Sequence, residues 1–548
     1  MPRLKIVFLL SLSIRPLLAQ EVSQSGLTLQ APRAIIALPE RAPSAMAATV
    51  HPLATEAALD IMRKGGNAID AAVAIAFVLA VVHPEAGNIA GGGFLMAHLA
   101  GGKTVVVDYA FQTPQAFRPQ IFAGEKITTV GYKTIGIPGT AAGMGLAHAK
   151  YGKLKWADCL EPARRLAKAG FPASQRIEMI LRLQVPVMKN YPETARIFLN
   201  GSDKPLKQGD LIVQKDLAET IARMQKRGWR EFYTGETAQR MLAGFKANGG
   251  VITAADLEKY EALEREPLRI TYRGHPVLVT PPYSSGGTVL AVSLNTIEQF
   301  ELKLGMEGSS LARHLQVEAM RTGSQAGRLL TQGKQAAPQL ISKEFAREAA
   351  RSISLDRAGS ATLPASNEGE SNDTTHYTVA DSLGNIVTNT YTLNGFYGSQ
   401  VIPKGTGLLM NNYMSPQRTV KGGDRVYSNM TPAVVLRPDG TPWAAFGSPG
   451  SATIPSTVMQ IVINLVDFKM GLRDAIEYPR IHFGGTAGID AEPGALVFDV
   501  AGKLRLMGHR IGRSLRSQGD VNAIAIEEKT AWKQGWADGR RGGAVKGY

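Results

Sequence analysis

Residues Thr374–Asn394, "TTHYTVADSLGNIVTNTYTLN", decide how the rest of this chain is read. "TTHYTVA" and "IVTNTYTLN" have the β-branched and aromatic content of strands, and Asp381-Ser-Leu-Gly-Asn385 between them has turn chemistry. A three-residue loop centred on Leu383, with Gly384 in the left-handed position, closes a hairpin. That register pairs Thr378 with Thr388, His376 with Thr390 and Thr374 with Thr392. Strand side chains alternate between faces. One face therefore carries Thr374, His376, Thr378, Thr388, Thr390, Thr392 and Asn394. The other carries Tyr377, Val379, Val387, Tyr391 and Leu393, with Thr375 and Asn389 mixed in, and reads as core. Cross-strand neighbours lie about 5 Å apart, which brings the Thr374 and Thr392 side chains together. The polar face has two readings, an exposed threonine ladder or a site.

Upstream, "NEGESND" (367–373) is acidic, small and polar, and it meets Thr374 with no glycine-proline turn between. A threonine hydroxyl needs a neighbouring base to act as a nucleophile. Cleavage before Thr374 frees an α-amine with an ordinary pKa of about 7.7–8.0 beside that hydroxyl, the N-terminal threonine form of nucleophilic catalysis. The same hydroxyl can make the cut, attacking the Asp373 carbonyl to form an ester that water opens. The seam between linker and strand then reads as a processing site, at Asp373 and Thr374.

The chain has 548 residues, 44% hydrophobic and 20% charged, enough for a large core. Length alone suggests two to four domains, although large sandwiches run as one unit. The formal charge is +15, but Lys and Arg are spread without long runs, which reads as solvated surface and not a nucleic-acid footprint. Residues 1–19 have a signal-peptide pattern: Arg3 and Lys5, an apolar run from Ile6 to Ile14, then Leu17-Leu18-Ala19. Export to the periplasm or beyond is the expectation. Neither this run nor Ala71–Val82 is long enough to span a bilayer, and the second reads as a buried helix. Cys159, the single cysteine, excludes an intrachain disulfide and paired-cysteine chemistry. No G-x-S-x-G, H-E-x-x-H or G-x-x-x-x-G-K-[ST] motif occurs, so serine-elbow, zinc-protease and phosphate-loop chemistry lack support, and no metal or cofactor is expected.

Along the chain, "TEAALDIMRKGG" and "NAIDAAVAIAFVLAVVHP" read as two helices, the second capped by Asn67, followed by "GNIAGGGFLM", where glycines let the backbone approach something closely. The stretch from about 140 to 365 reads as helix-rich, 331–373 as an exposed polar linker, and the remainder as short strands and glycine turns.

Eight fragments in order, "TEAALDIMRKGGNAIDAAVA", "GGGFL", "GIPGTAAG", "PPYSSGG", "TTHYTVAD", "TYTLN", "GSPGS" and "RRGGAVKGY", resemble the γ-glutamyltranspeptidase (glutathione hydrolase) family of N-terminal nucleophile hydrolases. The resemblance implies an α+β, four-layer αββα sandwich, cut into a large fragment (20–373) and a small one (374–548) that stay together as a heterodimer. It implies Thr374 as nucleophile, Thr392 as its hydrogen-bonding support and Asn394 as a substrate contact. The loop Gly447-Ser-Pro-Gly-Ser451 corresponds to one whose backbone N–H groups hold the oxyanion, here Gly450 and Ser451 where the family has two glycines. It also implies a small amide or peptide substrate, with water or an amine accepting the acyl group.

The departures lie at the substrate head. Ala110, in Asp108-Tyr-Ala-Phe111, stands where the family has the arginine that grips the α-carboxylate. Pro416 stands in place of the aspartate that holds the α-amine, Tyr413 in place of a glutamine, and Ser428-Asn429 in place of a serine pair. γ-Glutamyl amides are the family default. The alternative is an amidase for a less polar acyl group, like the related cephalosporin acylases, with Tyr109, Ala110, Phe111 and Tyr413 making the pocket more apolar. A scaffold of this fold without activity is the non-enzymatic alternative. His376 invites a triad reading, but a structural role fits the family better.

Overall fold

The computed structural model describes residues 37–126, 129–201, 203–360, 363, 373–417, 420–512 and 517–548. The signal-like residues 1–19 and most of the acidic linker, 364–372, lie outside them. Pro39–Tyr548 forms a single unit, so the several-domain reading of the length gives way to one large sandwich.

Two antiparallel seven-stranded sheets make up the middle. The first runs Glu40–Ala42, Lys533–Ala537, Asn522–Ile526, Pro442–Phe446, Ala433–Leu436, His275–Val279, Leu268–Tyr272. The second runs Ala544–Gly547, Met46–Thr49, Thr374–Ala380, Ile386–Thr392, Gly92–His98, Thr104–Tyr109, Leu263–Arg265. The hairpin therefore occupies the centre of its sheet, and its strands pair with segments from far upstream on both sides. An apolar layer of Met46, Phe94, Met96, Leu278, Val434, Ala445 and Ile524 joins the two sheets. Helices Pro52–Arg63, Ala68–Val82 and Thr140–Tyr151 cover the outer face of the second sheet. Helices Ser285–Ile297, Ser310–Thr331 and Ile454–Val466 cover the first. The result is the αββα arrangement. Among the described residues no helix is long and apolar enough to cross a membrane.

Helix Ala68–Val82 is buried along its whole length, as the unbroken apolar run Ala71–Val82 requires. Asn67 and Asp70 form a reciprocal capping box at its start. The glycine triplet that follows is pressed against the hairpin: a Cβ on Gly91 would lie 2.2 Å from the Thr392 carbonyl oxygen, and one on Gly93 2.5 Å from that of Thr390. The backbone that those glycines admit is thus the hairpin itself.

Two readings of organisation need correction. The expected linker from 331 holds helices Ala337–Leu340 and Lys343–Arg351, the latter N-capped by Ser342 and burying Ala346. These short helices bury few side chains, so their composition resembles that of exposed chain. The strand-rich C-terminal part also contains helix Ile454–Val466, whose apolar run reads equally well as a strand without a periodicity to separate them.

Candidate active site

The hairpin register is the expected one: Thr374 opposite Thr392, His376 opposite Thr390, Thr378 opposite Thr388. Gly384 takes the left-handed conformation, φ 93°, with Leu383 exposed at the loop tip. The core face reaches the helix layer, where Tyr377 and Tyr391 donate hydroxyl hydrogen bonds to the Ala72 and Ala76 carbonyls at 2.8 and 3.0 Å.

The polar face is not a surface ladder. At His376, Thr378, Thr388 and Thr390 it is buried between the sheets and hydrogen-bonded. His376 Nδ1 lies 2.8 Å from Thr390 Oγ1, and its Nε2 lies 3.1 and 3.0 Å from the Thr378 and Thr388 hydroxyls. Thr378 donates to the Asn522 carbonyl at 2.7 Å, and Asn522 Nδ2 donates to the His376 carbonyl at 3.1 Å, tying the hairpin to the opposite sheet. Burial lowers the His376 pKa to about 3, which keeps the ring neutral. Its role is structural, and it carries a pH signature. Unfolded chain takes up a proton at about pH 6.5 while the native ring does not, so the stability is whole above 6.5 and falls as pH drops from there toward 3. His376 alone should lower unfolding free energy by about 2 kcal/mol between pH 7 and pH 5, measurable by denaturant titration at each pH.

At the open end of the hairpin stand Asp373 and Thr374. Asp373 is fully buried and Thr374 is 5% exposed. Thr392 Oγ1 accepts from the Asn394 N–H at 2.8 Å and donates to the Asp373 carbonyl at 3.5 Å. Asn394 has a left-handed backbone, φ 80°, and its amide donates to Asn412. From the C-terminal segment, Arg541 Nη1 donates to the Thr374 carbonyl at 3.1 Å.

These groups open into a cleft of about 170 Å³ lined by Thr374, Thr392, Asn394, Tyr413, Ser428 and Asn429, with Ser451 and Ile454 at the start of a helix and Ser285, Tyr427 and Met430 completing the wall. The loop Gly447–Ser451 enters from strand Pro442–Phe446 and turns into helix Ile454–Val466. Gly450 has φ 132° and Ser451 φ 53°, so the serine, expected where the family has a glycine, is held in the left-handed region that glycine favours. Gly447 packs on the histidine: a Cβ there would lie 2.5 Å from His376 Cε1. Gly447→Ala should therefore displace the loop, costing about 1–3 kcal/mol in a melting experiment, with turnover falling by more than the stability loss explains.

No side chain lining the cleft carries a charge, among the described residues. Two helix N-termini do converge on it, those of Ser285–Ile297 and Ile454–Val466, each presenting its positive dipole end. Of the head-group positions, Tyr413, Ser428 and Asn429 line the cleft, but Ala110 and Pro416 do not. Ala110 packs in the layer between the sheets and its carbonyl accepts from the Tyr260 hydroxyl at 2.7 Å. Tyr109 turns to the other face, donating to Asn389 at 2.6 Å. Phe111 stands behind Tyr413, stacked at 4.4 Å between ring centroids. The aromatic character expected of the pocket thus reaches it through Tyr413 and Tyr427. Ser285 and Arg541 received no role from the sequence, although both lie in fragments that signalled the family. Two clusters of metal-type side chains, Asp70–His148–Cys159 and His314–Glu318–His509, contribute nothing to the cleft.

The Gamma-glutamyltranspeptidase family profile matches residues 54–548. A glutathione hydrolase proenzyme of Escherichia coli (strain K12) is 35% identical over 476 residues, covering 81% of this chain and 82% of that protein. An acylase ACY 1 proenzyme of Pseudomonas sp. (strain SE83) is 35% identical over 505 residues, covering 88% and 89%. The crystal structure of cephalosporin acylase from Bacillus halodurans superposes with a TM-score of 0.85 at 26% identity, over 94% of this chain and 98% of that one. A buried threonine hairpin at the centre of an αββα sandwich, found together with these matches over most of the length, makes this chain a member of the γ-glutamyltranspeptidase family of N-terminal nucleophile hydrolases.

Proposed function

We propose that the chain is an autoprocessing threonine hydrolase and acyltransferase of the γ-glutamyltranspeptidase type, in which Thr374 cuts the chain before itself and then takes acyl groups from amides. The observation that carries this reading is the hydrogen bond from Thr392 to the Asp373 carbonyl, at the bond to be cut and on the wall of the cleft. In the mature form, 20–373 and 374–548 remain together, because Thr374–Ala380 pairs with Met46–Thr49 and Ile386–Thr392 with Gly92–His98. The freed α-amine of Thr374 takes the proton from its own hydroxyl, and Oγ attacks the substrate carbonyl. N–H groups at Gly450 and Ser451 hold the developing oxyanion, helped by the N-terminus of the following helix. The amine leaves, and water or a second amine resolves the ester. Asn394 contacts the substrate, and the signal-like residues 1–19 direct the protein to the periplasm or outside the cell. Intact mass tests the reading: freshly made protein incubated at neutral pH should resolve into two masses that split between Asp373 and Thr374, and a persistent single mass would sink it.

γ-Glutamyl amides are the family's donors. A second reading of the donor rests on a specific observation, the uncharged lining. An acyl group without an α-ammonium leaves no unpaired cation there, whereas a carboxylate at its far end finds two helix N-termini.

A further inference from the structure

Self-cleavage poses a proton problem that turnover does not. Before the cut, the nitrogen of Thr374 is a peptide nitrogen, with no basic lone pair to receive the hydroxyl proton. The α-amine base exists only afterwards. Some other group must move that proton, and the described residues lining the cleft include no carboxyl and no imidazole. His376 is spent on three threonine hydroxyls.

One carboxyl is covalently next to the bond. Asp373 is fully buried, and neither of its carboxyl oxygens has a hydrogen bond of full geometry, the Phe396 N–H being a loose donor only. Such an orphaned buried acid is unusual in a native structure, and it is most economical in its neutral form. Only a few rotatable bonds separate it from the Thr374 nitrogen, and its own carbonyl is the one to which Thr392 donates. We infer that the Asp373 carboxyl is the proton carrier of self-cleavage, a role that rests on the processing reading above and ends when the bond is cut.

The step balances. Thr374 Oγ bonds to the Asp373 carbonyl carbon, and the carbon–nitrogen bond breaks. The neutral carboxyl gives its acidic proton to the departing nitrogen while its other oxygen receives the proton that Oγ releases, so the acid ends as it began. Water then opens the ester: its oxygen bonds to the Asp373 carbonyl carbon, and one of its protons goes to Thr374 Oγ. The Thr392 hydroxyl faces the carbonyl oxygen on which charge develops.

Burial pushes the Asp373 pKa well above the usual carboxylate range; Arg541, Arg176 and the Phe396 N–H oppose this and Glu85 reinforces it. Those groups come from the C-terminal segment, helix Gln175–Met188, the chain after Thr392 and the chain after helix Ala68–Val82. Because the neutral acid is the working form, cleavage should be fastest at lower pH and slow as pH rises through this raised pKa. Glu85 and Asp520 are the other buried acids near Arg541. Against the effect of burial, His83 and Arg176 hold Glu85 below the usual carboxylate range, whereas Asp520 is pushed up to about 6 by burial and by Asp538, so Asp520 needs its own control.

The test is the cleavage rate of the full-length precursor between pH 5 and pH 10, followed by intact mass, for wild type, Asp373→Asn, Asp373→Glu and Asp520→Asn. Asp373→Asn should be cleaved about 10²–10³-fold more slowly and should lose the alkaline fall, with Asp373→Glu restoring both in part. Thermal melting of each precursor separates this from misfolding, and the glutamate variant keeps the acid if the asparagine variant does not fold. A wild-type rate and pH profile in Asp373→Asn would overturn the proposal, as would a fall that disappears only in Asp520→Asn. Wild type that is never cleaved, or Thr374→Ala that is, would instead remove the processing reading beneath it.

Discussion

Thr374→Ala is expected to remain one chain and to lose amide turnover by on the order of 10⁴-fold or more. The size of the effect follows from the hydroxyl being used twice, once on the Asp373 carbonyl and once on each substrate, with no second nucleophile at hand. Of the other hydroxyls lining the cleft, Thr392 is bonded to Asp373 and Asn394, Ser285 to the Ser428 carbonyl, Ser428 to the Met430 N–H and Tyr413 to the Tyr427 carbonyl. The fold should survive. The Thr374 side chain looks into the cleft, and its backbone pairing with Thr392 does not depend on the side chain. A melting temperature within a few degrees of wild type, an uncut mass and absent turnover are the joint expectation. Thr374→Ser, which keeps the hydroxyl, should still be cut. A cut Thr374→Ala would move the nucleophile elsewhere, and the hairpin would become only the buttress of some other site.

Much of this was legible in the chain because a strand pair has few degrees of freedom. Alternation and one glycine turn define which residues face each other, so the Thr374–Thr392 pairing follows from local sequence. The apolar, alanine-rich run Ala71–Val82, too long for a typical strand and preceded by the Asn67 cap, likewise reads as a buried helix. What was not legible depends on partners far away in sequence. Nothing local says that the polar face of the hairpin is covered by Asn522, from the other sheet, and so becomes a buried network in place of a surface. Arg541 reaches Thr374 across most of the chain. Ala110 is the clearest case. Ala110, expected from the family resemblance at the position of a substrate-gripping arginine, packs in the inter-sheet layer, as a small apolar residue just past strand Thr104–Tyr109 can. The same logic separates the helices at 337–351 from a linker: composition reports exposure, and exposure does not report disorder.

The second large effect concerns the donor, and glutaryl anilide is expected to exceed γ-glutamyl anilide in kcat/KM by about 10²-fold. The two acyl groups differ only by the α-ammonium of the glutamyl head. In the family pattern that ammonium meets an aspartate and its carboxylate an arginine. The family resemblance places Pro416 and Ala110 at those positions, and no charged side chain lines the cleft among the described residues. A desolvated cation without a partner costs several kcal/mol, partly relieved by water and by the amide and hydroxyl oxygens of Asn429 and Ser428. The carboxylate is treated differently. The first residues of two helices, Ser285 and Ile454, line the cleft, and each N-terminus is worth about 0.3–1 kcal/mol to an anion. A net difference of about 3 kcal/mol corresponds to the stated ratio. A simple acyl anilide, lacking both charges, should fall between the two, since it forgoes the helix N-termini but leaves no unpaired cation. If γ-glutamyl anilide is instead the best of the three, the donor site recognises the ammonium and the reading drawn from the uncharged lining is wrong.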